Sequence, residues 1–169
     1  MKKLTYILAT LAVVSGLASC GKDDIGGTAT EAAAGDWYVS AVQLDDNGNV
    51  ADADPFGFGS QRFHLLTYNT SSNRSDTLFV DDEGSLGDFG MDFKSKVPLN
   101  LAEASFGSAD SVYNYREGNK VVISDGKILY KAGHQNNGSV ADSITFKLAV
   151  GGYIFRISGI RYSGLAEND

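Results

Sequence analysis

The sequence predicts an all-β domain: eight antiparallel strands wound up and down into a barrel, with a two-sheet β-sandwich as the competing architecture. Three observations carry this. From Gly35 onward apolar residues recur with period two, and no stretch holds a sustained helical period. Turn signals such as Asp125-Gly126, Asn137-Gly138 and Gly151-Gly152 interrupt the pattern at short intervals. Twenty glycines against two prolines suit a chain of tight turns better than a helical bundle.

The chain starts with an export segment rather than a strand. Lys2 and Lys3 precede a mostly apolar run from Leu4 to Leu17, too short for a spanning helix, so residues 1–19 read as a signal peptide. The run ends in Leu17-Ala18-Ser19-Cys20, which resembles the bacterial lipobox and places the sole cysteine at the expected lipidation site. A diacylated or triacylated cysteine would hold the mature protein on a membrane. Gly21 in place of a retention aspartate, followed by Lys22-Asp23-Asp24, resembles the signal that sends lipoproteins to the outer membrane and its exposed face. Residues 20–34 carry little to bury and read as lipidated cysteine plus tether, with a reach of about 20 Å. Residues 35–169 are left as one domain.

Within that domain the strands fall at 36–44, 61–70, 76–81, 90–98, 119–124, 127–132, 142–150 and 153–162. The last four can be phased on their turns. A two-residue turn at Asp125-Gly126 puts Val121, Ile123, Ile128 and Tyr130 on one face. The turn at Gly151-Gly152 does the same for Ile144, Phe146, Leu148, Val150, Tyr153, Phe155 and Ile157. Asn137-Gly138 turns the chain between them, which makes a meander. Barrel closure would remove exposed edges, but turn spacing does not separate barrel from sandwich.

Gly35-Asp36-Trp37 resembles the lipocalin-type G-x-W signature. In calycin folds that tryptophan closes one end of the barrel under a basic residue from the last strand. Here Arg161 lies on the inward phase of the final strand, so Trp37 and Arg161 are the expected closure pair. Together the lipobox, the tether, G-D-W-Y-V and the ending I-S-G-I-R-Y-S-G-L resemble small Bacteroidetes lipoproteins described as lipid-binding putative hydrolases. The resemblance implies a calycin-like barrel and a lipid-like ligand.

The chemistry is less specified. A net charge of −7, or −9 once Lys2 and Lys3 are removed, excludes the basic surface that nucleic acid requires. Hydrolysis needs an activated nucleophile, yet Cys20 is taken by the anchor and no G-x-S-x-G occurs. His64 is the imidazole candidate, in a pocket or on the outer wall, and no catalytic set is assigned; the sequence leans against an enzyme. The loop carboxylates Asp45, Asp46, Asp52 and Asp54 match no EF-hand spacing, so neither metal nor cofactor is assigned. The favoured function is binding of a small apolar or amphipathic ligand. Phe56, Phe58, Phe106, Tyr113 and Tyr115 are candidates for the mouth, with Phe63, Met91, Phe93, Tyr130, Phe146 and Phe155 below. The alternative use of the same aromatics is a filled core, with exposed loop rings docking an outer-membrane protein partner.

Overall fold

The computed structural model describes residues 26–168. Its strands are β1 (Gly35–Leu44), β2 (Val50–Asp52), β3 (Phe63–Asn69), β4 (Thr77–Asp81), β5 (Lys94–Asn100), β6 (Ser105–Phe106), β7 (Val112–Tyr113), β8 (Lys120–His134), β9 (Val140–Val150) and β10 (Tyr153–Arg161). Among the described residues the helical elements are three short 3₁₀ turns. The strand order β1-β3-β4-β5-β6-β8-β9-β10 closes on itself, because β10 pairs antiparallel with β1 from Trp37 opposite Arg161 to Leu44 opposite Ile154. That seam decides for the barrel over the sandwich. The short β2 and β7 hang on β1 and β8.

The β9–β10 turn is as expected: Val150 pairs with Tyr153, and Gly151 and Gly152 have φ of 59° and 85°, the positive values a primed turn demands. Two other expectations are corrected. Asp125-Gly126 is not a hairpin but a bulge inside the single long strand β8. Ser124 pairs with Lys147 and Lys127 with Thr145, so β8 holds one residue more than β9 over this step. A turn and a bulge both leave residues 124 and 127 on the same side, which is why Val121, Ile123 and Ile128 point inward on either reading and are at most 3% exposed. Gly126 is required there because a Cβ would lie 2.5 Å from the Phe106 ring. A second irregularity between Leu129 and Gly133 breaks the phase again and turns Tyr130 outward.

The eighth barrel strand comes from elsewhere. The expected strands leave 99–118 without one, yet the chain turns at 101–104 and returns as β6, two residues long. Phe106 opposite Leu99 and Gly126 bridges β5 to β8. The expected count of eight therefore matches through one strand split and one missed. The expected 90–98 strand also begins later, at Lys94, leaving Met91 and Phe93 in the loop before it.

The middle of the barrel is solid. Trp37, Leu65, Leu78, Phe93, Leu148 and Ile157 are all 0% exposed, so no water-sized void touches them. Short connections (70–76, 101–104, 135–139) cluster at one end, while the long ones (45–62, 82–93, 107–119) crowd the other. At the short-loop end Thr30 and Ala33 are fully buried against the barrel, so the folded body takes in residues 30–34.

Candidate functional site

At the short-loop end a polar lattice plugs the barrel. Trp37 Nε1 donates to Thr67 Oγ1 at 2.8 Å, and that hydroxyl donates to the Ala33 carbonyl at 2.7 Å. The Arg161 guanidinium lies 4.5 Å from the Trp37 ring, donates through Nη1 to the Ala34 carbonyl at 2.9 Å and reaches Asp142 at 3.3 Å. Gly35 leaves room for it, since a Cβ there would sit 2.5 Å from Nη1. The lattice closes the barrel interior at this end, and a surface cleft of about 370 Å³ beside it is lined by Gln135, Val140, Asp142, Arg161, Leu165 and Asn168 among others.

The long-loop end is the mouth. Asp54 folds the first loop back on itself: its carboxylate accepts the backbone N–H of Phe58 and of Gly59, each at 2.8 Å, with Gly57 and Gly59 at positive φ. That turn lays Phe56 over Phe155 and against Phe89, with ring centroids 5.1 and 4.9 Å apart. Phe58 meets Phe63 at 6.0 Å and Phe89 at 5.7 Å. Beside this roof lies an apolar cleft of about 260 Å³ lined by Gln43, Pro55, Phe56, Phe89, Met91, Tyr153 and Phe155. Phe89 and Tyr153 are 41% and 47% exposed, a wide aromatic opening for an acidic protein.

The sequence candidates thus divide into three groups. Phe56, Phe58, Phe63, Met91 and Phe155 gather at the mouth. Phe93, Phe106 and Phe146 pack on one another beneath, with Phe146 6.2 Å from Phe93 and 5.7 Å from Phe106, and none of them lines the mouth cleft; Phe106 instead edges a separate cleft of about 250 Å³ beside the bulge at Gly126. Tyr113, Tyr115 and Tyr130 are about half exposed on the outside. Tyr130 lies toward the plugged end, where its hydroxyl donates to the Ala32 carbonyl. Cys20 lies outside the described residues. Phe89 and Tyr153 were not among the candidates, although Tyr153 has an inward phase next to a hairpin, the signature of a rim residue.

The second long loop, 82–93, is held by a buried aspartate. Asp82 accepts the N–H groups of Gly84, Leu86 and Phe93 at 3.0–3.1 Å, and burial raises its pKa despite these bonds. Beside it Asp81 pairs with Arg116 at 2.6 Å and accepts the Tyr68 hydroxyl at 2.8 Å. Burial pushes Asp81 upward, but the arginine and tyrosine outweigh it and its pKa lies below the ordinary value. Asn114 ties this loop to the next, accepting from Lys94 N and Arg116 N and donating to the Asp92 carbonyl. These groups frame the mouth from behind.

His64 sits on the outer wall. Its Nδ1 is 2.9 Å from Asp36, and its ring packs against Tyr38 and Tyr162. The serine that reaches His64 is Ser85, whose hydroxyl donates to the backbone carbonyl at 3.4 Å rather than to the ring. On the same wall a polar cleft of about 560 Å³ is lined by Tyr38, Ser60, Gln61, Arg62, Asn136 and Asn168. The loop carboxylates Asp45, Asp52 and Asp54 each accept backbone N–H groups of their own turns. Among the described residues no cluster of three or more His, Cys, Asp or Glu is arranged to hold a metal ion.

A closed barrel with an aromatic mouth agrees with what sequence comparison finds. Residues 22–166 match the family described as lipid-binding putative hydrolase. The chain belongs to that family. No curated protein matches it. Of the two halves of the family's description, the apolar cleft at the mouth speaks to lipid binding. For the other half, the Asp36–His64 pair sets a carboxylate on an imidazole, but the neighbouring Ser85 hydroxyl is turned to the main chain and does not meet the ring.

Proposed function

We propose that this chain is an exported lipoprotein, anchored through Cys20 on the exposed face of an outer membrane, that binds a small apolar or amphipathic ligand at the mouth of its barrel. One observation carries the binding: the 260 Å³ cleft under Phe56, lined by four aromatic rings at the long-loop end of a barrel whose middle is filled. The ligand lies across the rim and under the 53–62 loop, since the interior has no room for it. The roof is folded locally: Asp54 holds residues 54–59 in a turn closed by its own carboxylate. Anchor and cleft fit one another in purpose, because a protein tethered at a bilayer samples lipid-like molecules leaving it.

A second reading has its own observation. Tyr68, Phe79, Tyr115 and Tyr113 form a chain of rings on the outer wall, 5.0–5.7 Å between neighbouring centroids, with Lys94 over the first two. Such a stripe suits a protein partner in an outer-membrane assembly. The test is native mass spectrometry of the full chain carrying Cys20→Ser, followed by displacement of a fluorescent fatty acid. A co-purifying amphiphile, or saturable probe binding lost in Phe89→Asp, supports the mouth site. Absence of both, with a protein partner captured in a manner that depends on Tyr113 and Tyr115, supports the stripe instead.

A further inference from the structure

The apolar cleft at the mouth and the polar cleft on the outer wall are built by one loop. Residues 53–62 cross the barrel rim: Pro55 and Phe56 line the apolar side, while Ser60, Gln61 and Arg62 line the polar side. The next residue, Phe63, is 7% exposed and points back under Phe58, so the chain passes from outer wall to interior within two positions. Resting on the reading of the mouth as a lipid-like site, we infer that the ligand straddles this rim. Its chain lies in the mouth cleft, and a hydroxyl-bearing anionic headgroup lies in the outer cleft.

Size and charge point the same way. The outer cleft, at about 560 Å³, is the larger of the two and is polar. Gln43 lines one cleft and Tyr38 the other; they are five residues apart on β1, about 17 Å at strand rise, and one leaflet's hydrocarbon chain spans about 15 Å. A single amphiphile therefore reaches both. The protein carries a formal charge of −7, which opposes anions over most of its surface. Neither cleft is lined by an aspartate or glutamate, and the outer one presents Arg62. Arg74, Arg116 and Arg161 are each paired with an aspartate, whereas among the described residues Arg62, like Arg156 on β10, has no carboxylate within ion-pair distance. The nearby Asp36 is engaged by His64 at 2.9 Å. Ser60, Gln61 and the Tyr38 ring complete a wall suited to hydroxyl groups and C–H faces.

Isothermal titration of the full-length Cys20→Ser chain tests this, with lysophosphatidylglycerol and lysophosphatidylcholine of the same acyl chain as probes. The expected result is about tenfold tighter binding of the glycerol headgroup, the scale of one charge-assisted hydrogen bond. Arg62→Gln abolishes that preference while leaving the choline lipid's affinity unchanged, and Phe89→Asp weakens both. Both residues are exposed enough to be changed without unfolding, and unaltered melting temperatures verify it. Dodecyl glucuronide, a carboxylate on a sugar, identifies the source: Arg62-dependent binding of it supports an acidic glycolipid, and binding of the phosphoglycerol lipid alone supports a phospholipid. Equal affinity for the two lysolipids, or a preference that survives Arg62→Gln, overturns the headgroup assignment and leaves the mouth site standing. Binding of neither overturns both.

Discussion

Replacing Arg161 by glutamine tests the plug at the short-loop end. The variant loses three contacts. The guanidinium 4.5 Å from the Trp37 ring, half desolvated by Gly35, contributes about 1 kcal/mol. The bond from Nη1 to the Ala34 carbonyl at 2.9 Å contributes about 1.5 kcal/mol, the low end for a charged donor because the side chain is partly solvated. The pairing with Asp142, at 3.3 Å between groups 34% and 23% exposed, contributes about 0.5 kcal/mol. The loss is about 3 kcal/mol, equivalent to roughly 10 °C in Tm for a domain of this size. Urea unfolding measures it, and the chain's single tryptophan reports the site directly: its emission shifts to the red as water reaches the ring from above. Arg161→Lys keeps a cation over the ring but not the directed bonds, so it falls between the two. A loss below about 0.5 kcal/mol with unshifted emission would refute the reasoning, because it would show that strand pairing alone holds the seam.

Three further outcomes follow from the packing. Gly126→Ala forces a Cβ to within 2.5 Å of the Phe106 ring and carbonyl, so it destabilises by about 1–3 kcal/mol, read by thermal melting; Gly138→Ala meets no atom and serves as the contrast, costing backbone strain alone. Asp81 has a folded pKa below its unfolded value near 3.8, so its contribution is present above that pH and lost as pH falls through the folded value; Asp81→Asn therefore makes the acid limb of the stability curve shallower below about pH 4. Phe56→Ala removes a ring that is 8% exposed from the roof, costs about 2–4 kcal/mol and enlarges the 260 Å³ cleft, so an apolar dye binds more tightly while Tm falls.

What was legible in the sequence depended on length and phase. β9 alternates without interruption from Ile144 to Val150 and β10 from Tyr153 to Ile157, and a glycine pair fixes their register. Their inward set, from Ile144 to Ile157, is buried as its phase requires except for Tyr153, which the turn leaves at the rim and 47% exposed. β6 is two residues long, too short for any period to register, and only its partners on β5 and β8 make it a strand. The bulge at Asp125 was hidden because Asp-Gly suits both a turn and an αL bulge, and only the ladder to β9 distinguishes them. Tyr130 was misphased by the second bulge. Tyr113 and Tyr115 stand in or beside a two-residue strand, where no alternation says which side faces in. The mouth was only half visible: Phe56 and Phe58 stood out as aromatics in a glycine-rich loop, whereas Phe89 is in a one-turn helix whose position depends on Asp82, eleven residues from the Phe93 amide it clamps.

The solid interior moves the functional question from volume to edges. Small β-barrels that enclose ligands leave their middle layer of side chains small; here that layer is Leu65, Leu78, Phe93, Phe146 and Leu148, each at most 1% exposed, and hollowing it would cost a cavity penalty at every position. Selection on ligand binding in such a barrel acts where the penalty is lowest, on loop residues already half in water. The three long loops converge at the end where the β9–β10 turn brings Tyr153 and Phe155 beside Gln43, and the loop that roofs the cleft is folded by its own aspartate. Substitutions at Phe89 and at the exposed positions of 53–62, the buried Phe56 excepted, are therefore expected to change ligand preference with little change in stability, and substitutions at Trp37, Leu65 or Phe146 to do the reverse. A scan of both sets by urea unfolding and probe titration checks that separation, and a core substitution that alters affinity at unchanged stability would break it.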